Sequence, residues 1–256
     1  RKSEGFVLAD VTSNAEILGD EPFQFYQKFP NIQVAVDANR TNGITQLLSQ
    51  KNKPEIIQTL KELAEKYSII QCSEYNLDSG IPYVSIDNEE ASYRAVKHLI
   101  QIGHKKIALM NSDEKFLYAR QREMGYQRAL KEHGLPLNDD YIIYTKHLGF
   151  EHGQQAVKKI LAIQDRTTAI FAVSDLLAIG ALKEINASGL HVPKDVAVVG
   201  FDKIDFSSMT NPTLTTIAQP MYKMGTVAGE MLIDKIRGND VDSVILNHEL
   251  VLREST

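Results

Sequence analysis

Polar residues gather at a few places in this chain where an apolar run has just ended: Asp10 to Asn14, Asp37 to Arg40, Ser73-Glu74-Tyr75, Asn111 to Asp113, Ser174-Asp175 and Asp202. Carboxylates, amides and hydroxyls placed there can exchange hydrogen bonds with a small polar molecule, and they equally suit helix caps and turns. Catalysis asks for more: a nucleophile beside a base, a metal constellation or a phosphate loop. The chain has no G-x-S-x-G elbow, no H-E-x-x-H, no C-x-x-C and no G-x-x-x-x-G-K-[ST]. Of its seven histidines, His147 and His152 lie close together, at a separation that fits neither a helical metal pair nor a paired base. The expectation is a binding protein without metal or cofactor, not an enzyme.

The elements that must carry these residues alternate. Short β-branched runs recur between longer helical patterns, as in a parallel sheet with crossover helices, so the fold class is α/β. Strands are expected at Gly5 to Ala9, Ile32 to Val36, Ser68 to Cys72, Val84 to Ile86, Lys106 to Met110, Tyr141 to Tyr144, Ala169 to Val173, Val196 to Gly200 and Ser243 to Leu252. Helices are expected over Pro54 to Tyr67, Glu89 to Ile102, Phe116 to Gly134, Glu151 to Ala162, Leu176 to Ser188 and Val227 to Ile236. Asp87-Asn88 reads as a cap, and Gly103 and Gly189 as left-handed stops. Between Ile44 to Gln50 and Pro54 only Lys51-Asn52-Lys53 intervene, so the strand that alternation demands there is missing.

At 256 residues the chain suits one large or two ordinary domains, with 43% hydrophobic and 24% charged residues, a globular composition. Its net charge of -5 supplies no basic patch for nucleic acid phosphates. The single cysteine, Cys72, reads as a buried or half-buried apolar residue. The apolar run after the basic start is too short for a signal peptide, and nothing approaches a membrane span, so the cytosol fits best.

Four linked stretches go further: GIPYVSIDNEEASYRAVKHLIQIGHKKIALM (Gly80 to Met110), RQREMGYQRALKEHG (Arg120 to Gly134), TAIFAVSDLLAIGALKEINASGLHVPKDVAVVGFD (Thr168 to Asp202) and NPTLTTIAQPMYKMG (Asn211 to Gly225). In order and spacing they resemble the effector-binding core of the LacI/GalR family of transcription repressors. The resemblance implies a fold like the type I periplasmic binding proteins, with two flavodoxin-like subdomains and a ligand cleft between them. It places them at 1–84 plus 218–240 and 85–217 plus 241–256, with crossovers near Tyr83 to Asn88, Thr216 to Gln219 and Gly238 to Val244. The family's DNA-binding head would precede the first core strand and is not in this chain.

The same resemblance singles out site residues. Arg122 looks like the arginine that reaches from a helix start into the cleft, where its fork of donors suits vicinal hydroxyls or a carbonyl; Arg120 stands beside it as an alternative. Asp202 looks like the aspartate that accepts hydrogen bonds from the effector, and Phe150 like the aromatic that stacks on it. Ser174 or Asp175 would touch ligand while Asp175 mainly caps the next helix; Asn14 and Tyr75 join from the other subdomain. The function implied is an effector-sensing homodimer that binds a nucleoside, purine or sugar and reaches operator DNA through the head alone. A periplasmic solute-binding protein uses the same architecture and stands as the alternative.

Overall fold

The computed structural model describes residues 7–8, 35–36 and 53–256. Expectations that fall on Asp10 to Asn14, on Asp37 to Arg40 and on the missing strand before Pro54 lie outside the described residues. The described residues form two compact units. One takes those up to Ile70 with Asn76–Pro82 and Leu232–Asp240; the other takes Gln71–Tyr75, Tyr83–Met231 and Val241–Thr256.

In the first unit β1 (Val7–Leu8) pairs with β2 (Ala35–Val36), with Val7 opposite Val36. The pair is antiparallel where the alternation predicts a parallel sheet, and an antiparallel pair needs no crossover helix. The helix α1 (Lys53–Lys66) begins one residue before Pro54, whose missing N–H costs nothing in a first turn.

The second unit holds a three-stranded parallel sheet in which β4 (Tyr83–Ile86) lies between β3 (Gln71–Cys72) and β10 (Val244–Leu246). Cys72 points outward from the end of this short strand and is exposed, contrary to its apolar reading. A six-stranded sheet carries the core. Its order is β11-β9-β8-β7-β5-β6, from β5 (Ile107–Asn111), β6 (Ile142–Tyr144), β7 (Ala169–Ala172), β8 (Ala197–Asp202), β9 (Thr215–Ala218) and β11 (Glu249–Val251). From β6 to β9 all pairings are parallel, and β11 closes the edge antiparallel to β9. Counted from β5, the parallel strands follow the 2-1-3-4-5 order of doubly wound flavodoxin-like sheets, in which the strand order reverses between β5 and β7.

All of β5 and β7, and β8 as far as Phe201, are buried, which explains their unbroken apolar runs: covered on both faces, they show no polar alternation. The helices α2 (Asn88–Gln101) and α3 (Leu117–Glu132) pack on each other, as do α4 (Phe150–Leu161) and α5 (Asp175–Ala187). Right-handed crossovers put these pairs on opposite faces. Asp87 caps α2 by accepting from Glu90 N–H at 2.8 Å. Gly103 and Gly189 take φ values of 106° and 76°, as their stop positions require.

Three elements differ from the periodicity, the first being β9, where no strand is expected. The helix α6 (Met221–Ile236) starts at Met221 instead of Val227. Its first turn is mostly exposed, so it carries little apolar periodicity, and Pro220 marks the start instead. The closing run Ser243 to Leu252 splits into β10 and β11, which join different sheets.

Candidate functional site

Reversal of strand order between β5 and β7 leaves a crevice beyond their carboxyl ends, the place where open parallel sheets take ligands. Arg122 reaches this point from the second turn of α3. Its Nε donates to Asn88 Oδ1 at 2.9 Å, and its Nη1 donates to the Val173 carbonyl just past β7 at 2.5 Å. The guanidinium carbon sits 3.5 Å from the Phe201 ring centroid and 4.9 Å from that of Tyr118. Aromatic contact and two carbonyl-type acceptors thus hold a buried cation in one orientation. Burial draws its pKa down; the charge of Asp202 opposes this first, then Tyr118, Glu74 and Asp175. Yet no carboxylate pairs with Arg122 within 4.0 Å among the described residues, and its Nη2 has no hydrogen-bond partner among them.

Asp202 ends β8 with φ 116°, followed by Lys203 at 56°, so the chain leaves the strand through conformations unfavourable to side chains. One carboxylate oxygen accepts from Gln219 Nε2 at 2.6 Å. Burial raises its pKa, while Arg122 and the Gln219 bond hold it down. Ser174 caps α5, its Oγ accepting from Leu177 N–H at 3.3 Å. The capping role expected of Asp175 therefore falls to Ser174. Asp175 instead ties the loop after β8, accepting from Ile204 N–H at 2.8 Å and Thr216 Oγ1 at 2.6 Å.

Burial pushes the Asp175 carboxyl up to about 7, against its two hydrogen bonds and with the help of Asp202. A carboxyl whose folded pKa exceeds its unfolded one binds its proton more tightly when folded. Its contribution to stability therefore falls as pH rises between 3.8 and about 7. Thermal melting from about pH 8 to about pH 5.5 should show the wild type gaining stability relative to Asp175→Asn as pH falls. Parallel curves would show that Asp175 does not titrate in this window.

Glu74 is the residue that sequence reasoning did not single out. The chain turns at Ser73, φ 70°, and the Glu74 carboxylate accepts from the N–H groups of Leu117 and Tyr118 at 2.7 and 3.3 Å. It caps α3 from 43 residues away, where Phe116 offers no capping side chain. Burial raises its pKa, opposed by these two bonds and then by Arg122 and Arg120. Tyr75 is buried, stacked on Tyr83 at 3.8 Å between centroids, and its hydroxyl accepts from Gln121 Nε2 at 3.1 Å. Gln121 Oε1 is left buried without a partner.

Phe150 is the first residue of α4 and is 39% exposed, and Ser174 Oγ donates to Leu148 O at 3.4 Å, tying the preceding loop to the end of β7. The structure thus brings Arg122, Asp202, Ser174 and Asp175 to one end of the sheet, with Glu74, Tyr75 and Phe150 on elements that meet α3 or β7 there. Arg120, the alternative to Arg122, turns its Nη1 to the carbonyls of Glu114 and Lys115. Asn14 lies outside the described residues.

Residues 96–256 match the model of the periplasmic binding protein-like domain. The chain is 32% identical over 242 residues to the HTH-type transcriptional repressor CytR of Escherichia coli K12, which covers 94% of this chain and 70% of that protein. The chain belongs to the LacI/GalR family of transcription regulators. The structure of the transcription regulator CcpA of Lactococcus lactis superposes with a TM-score of 0.74 at 25% identity, covering 95% of this chain and 86% of that one. A transcriptional regulator CelR–cellobiose complex gives 0.72 at 30% identity, covering 80% of this chain and 63% of that one. These relatives of the LacI-family core are regulators, not enzymes. The domain match begins inside α2, so the polar cluster lies in the part of the chain that the family model covers, apart from Asn88, Glu74 and Tyr75.

Proposed function

We propose that this LacI-family core senses a small nucleoside, purine or sugar at the carboxyl ends of its six-stranded sheet and passes its occupancy to a DNA-binding head of the family kind. The observation that carries this reading is Arg122: a buried guanidinium held by Asn88, Val173 and Phe201, electrostatically coupled to Asp202 and, among the described residues, paired with no carboxylate. A cation and a carboxylate held apart supply donors and acceptors for the hydroxyls or ring edges of a ligand between them. Phe150, 39% exposed, offers an aromatic ring for stacking. Asn14 and Tyr75 complete the proposed contacts.

A ligand preferring one arrangement of the core shifts the population toward it, with coupling to DNA affinity of about 1–3 kcal/mol in typical cases. Homodimerisation and a cytoplasmic setting belong to the same proposal, since a DNA regulator works where the DNA is. No helix among the described residues is long and apolar enough to cross a membrane. Identity to a transcriptional repressor along most of the chain favours this over the solute-receptor reading.

A thermal-shift screen with nucleosides, nucleobases and sugars tests it, run beside sedimentation velocity. Ligand that binds the folded state raises its melting temperature, by RT ln(1 + [L]/Kd) in free energy. The expected result is a dimer whose melting rises with at least one compound. A monomer that no compound stabilises would overturn the proposal.

A further inference from the structure

The charges around Arg122 are unequal. Three carboxyl groups, Asp202, Glu74 and Asp175, act on one guanidinium, and two of that guanidinium's nitrogens are already engaged with Asn88 and Val173. Bidentate capture of a phosphate or carboxylate takes two nitrogens of the fork at once, and here Nη2 alone is without a partner among the described residues. Two of the neighbouring helix starts, those of α3 and α5, are also closed. Glu74 occupies the N–H groups of Leu117 and Tyr118 at the start of α3, and Ser174 Oγ occupies that of Leu177 in α5. These are the groups that would otherwise attract an anion.

The nearby arginines are tied up. Arg120 bonds to backbone carbonyls, Arg253 Nη1 bonds to Ser207 Oγ and Leu214 O, and Lys203 is exposed. A ligand entering here meets an excess of negative charge in a desolvated setting, where like charges repel more strongly than in water. Its neutral hydroxyls, by contrast, can donate to Asp202.

We propose that the site selects uncharged, hydroxyl-bearing ligands and rejects their phosphorylated and carboxylated forms, with Asp202 and Glu74 as the excluding charges. This rests on the effector-binding reading above and adds to it the charge of the ligand. In that light Glu74 is both a helix cap and an electrostatic filter, with its carboxylate standing where an anionic ligand would otherwise sit.

Isothermal titration of the chain with adenosine, inosine, cytidine, uridine, ribose and glucose, each paired with its monophosphate, tests this. The expected result is that a neutral compound binds and its phosphate binds at least about tenfold more weakly. Glu74→Gln keeps an acceptor for the Leu117 N–H while removing the charge, and should narrow that gap at least about threefold; Asp202→Asn should narrow it as well. A phosphate that binds as tightly as its parent compound, through the uncapped start of α4 at Gly149 for example, overturns the selection while leaving the effector-binding reading intact. So does a gap that neither substitution moves in variants that melt cooperatively. Should a variant fail to fold, the wild-type ratio decides. Silence from every compound, neutral and phosphorylated, removes the effector-binding reading and the selection together.

Discussion

Replacing Gly180 by alanine should destabilise the core by about 3 kcal/mol or more, a loss of roughly 6–12 °C in melting temperature for a chain of this size. A Cβ at Gly180 would stand 2.1 Å from the Phe150 carbonyl oxygen and 3.1 Å from both Gln154 N and Gly153 Cα. All three are backbone or glycine atoms of α4, so no side chain can turn aside to make room. Gly153 faces it in the same contact, since a Cβ there would meet the Leu177 carbonyl at 2.3 Å. Helices α4 and α5 touch backbone to backbone, and a single methyl must pry them apart over the buried residues Ala156, Val157 and Ile160. Chemical denaturation followed by circular dichroism measures the loss. Because the contact falls on Phe150, the same variant should also weaken effector binding. A Gly180→Ala chain as stable as wild type would mean that α4 has room to move.

The second large effect concerns Arg122. Arg122→Ala should weaken effector binding by at least about tenfold, equivalent to about 1.4 kcal/mol, in calorimetry. Since the side chain is buried, with two acceptors and two aromatic rings around it, truncation should also destabilise the fold by about 3 kcal/mol: it empties the space over Phe201 and strands Asn88 Oδ1 and the Val173 carbonyl. Arg122→Lys separates the two roles. Lysine keeps the charge and can reach one of the acceptors, so stability should recover in part, but it lacks the planar fork and binding should not. Removing the guanidinium also releases the Asp202 carboxyl, which Arg122 holds down, to move nearer neutrality. Wild-type affinity in Arg122→Lys would show that charge alone serves the ligand, and wild-type affinity in Arg122→Ala would take Arg122 out of the site.

How far the sequence could be read depended on the range of the interactions involved. Lys106 to Met110, Ala169 to Val173 and Val196 to Gly200 stood out as strands because burial on both faces forbids polar residues, a constraint that every position reports. Asp87, Gly103 and Gly189 stood out because capping and positive φ act over three or four residues. What escaped was long-range. That Glu74 caps α3 depends on a turn at Ser73 that no local pattern encodes. That Arg122 is half spent on Asn88 and Val173 depends on how three separate elements meet. For the closing run, alternation could announce extended chain but not which of two sheets each half would join. The exposed first turn of α6 gave too little periodicity to mark its start.

The tail of the sheet has a consequence for how the molecule is made. Ser255 is threaded into the core: Val198 N–H donates to its carbonyl at 2.9 Å, its Oγ donates to Val198 O at 2.6 Å, and its N–H donates to Thr213 O at 3.0 Å. With β11 it finishes an edge whose other strands have all left the ribosome earlier. Until residues 249–255 emerge, the open flank of β9 is a bare row of donors and acceptors, the kind of surface on which nascent chains pair with one another. The strand that seals the sheet is therefore made after all the others in it, so slow translation between β9 and β11 would prolong the interval in which this edge is open to pairing with other chains.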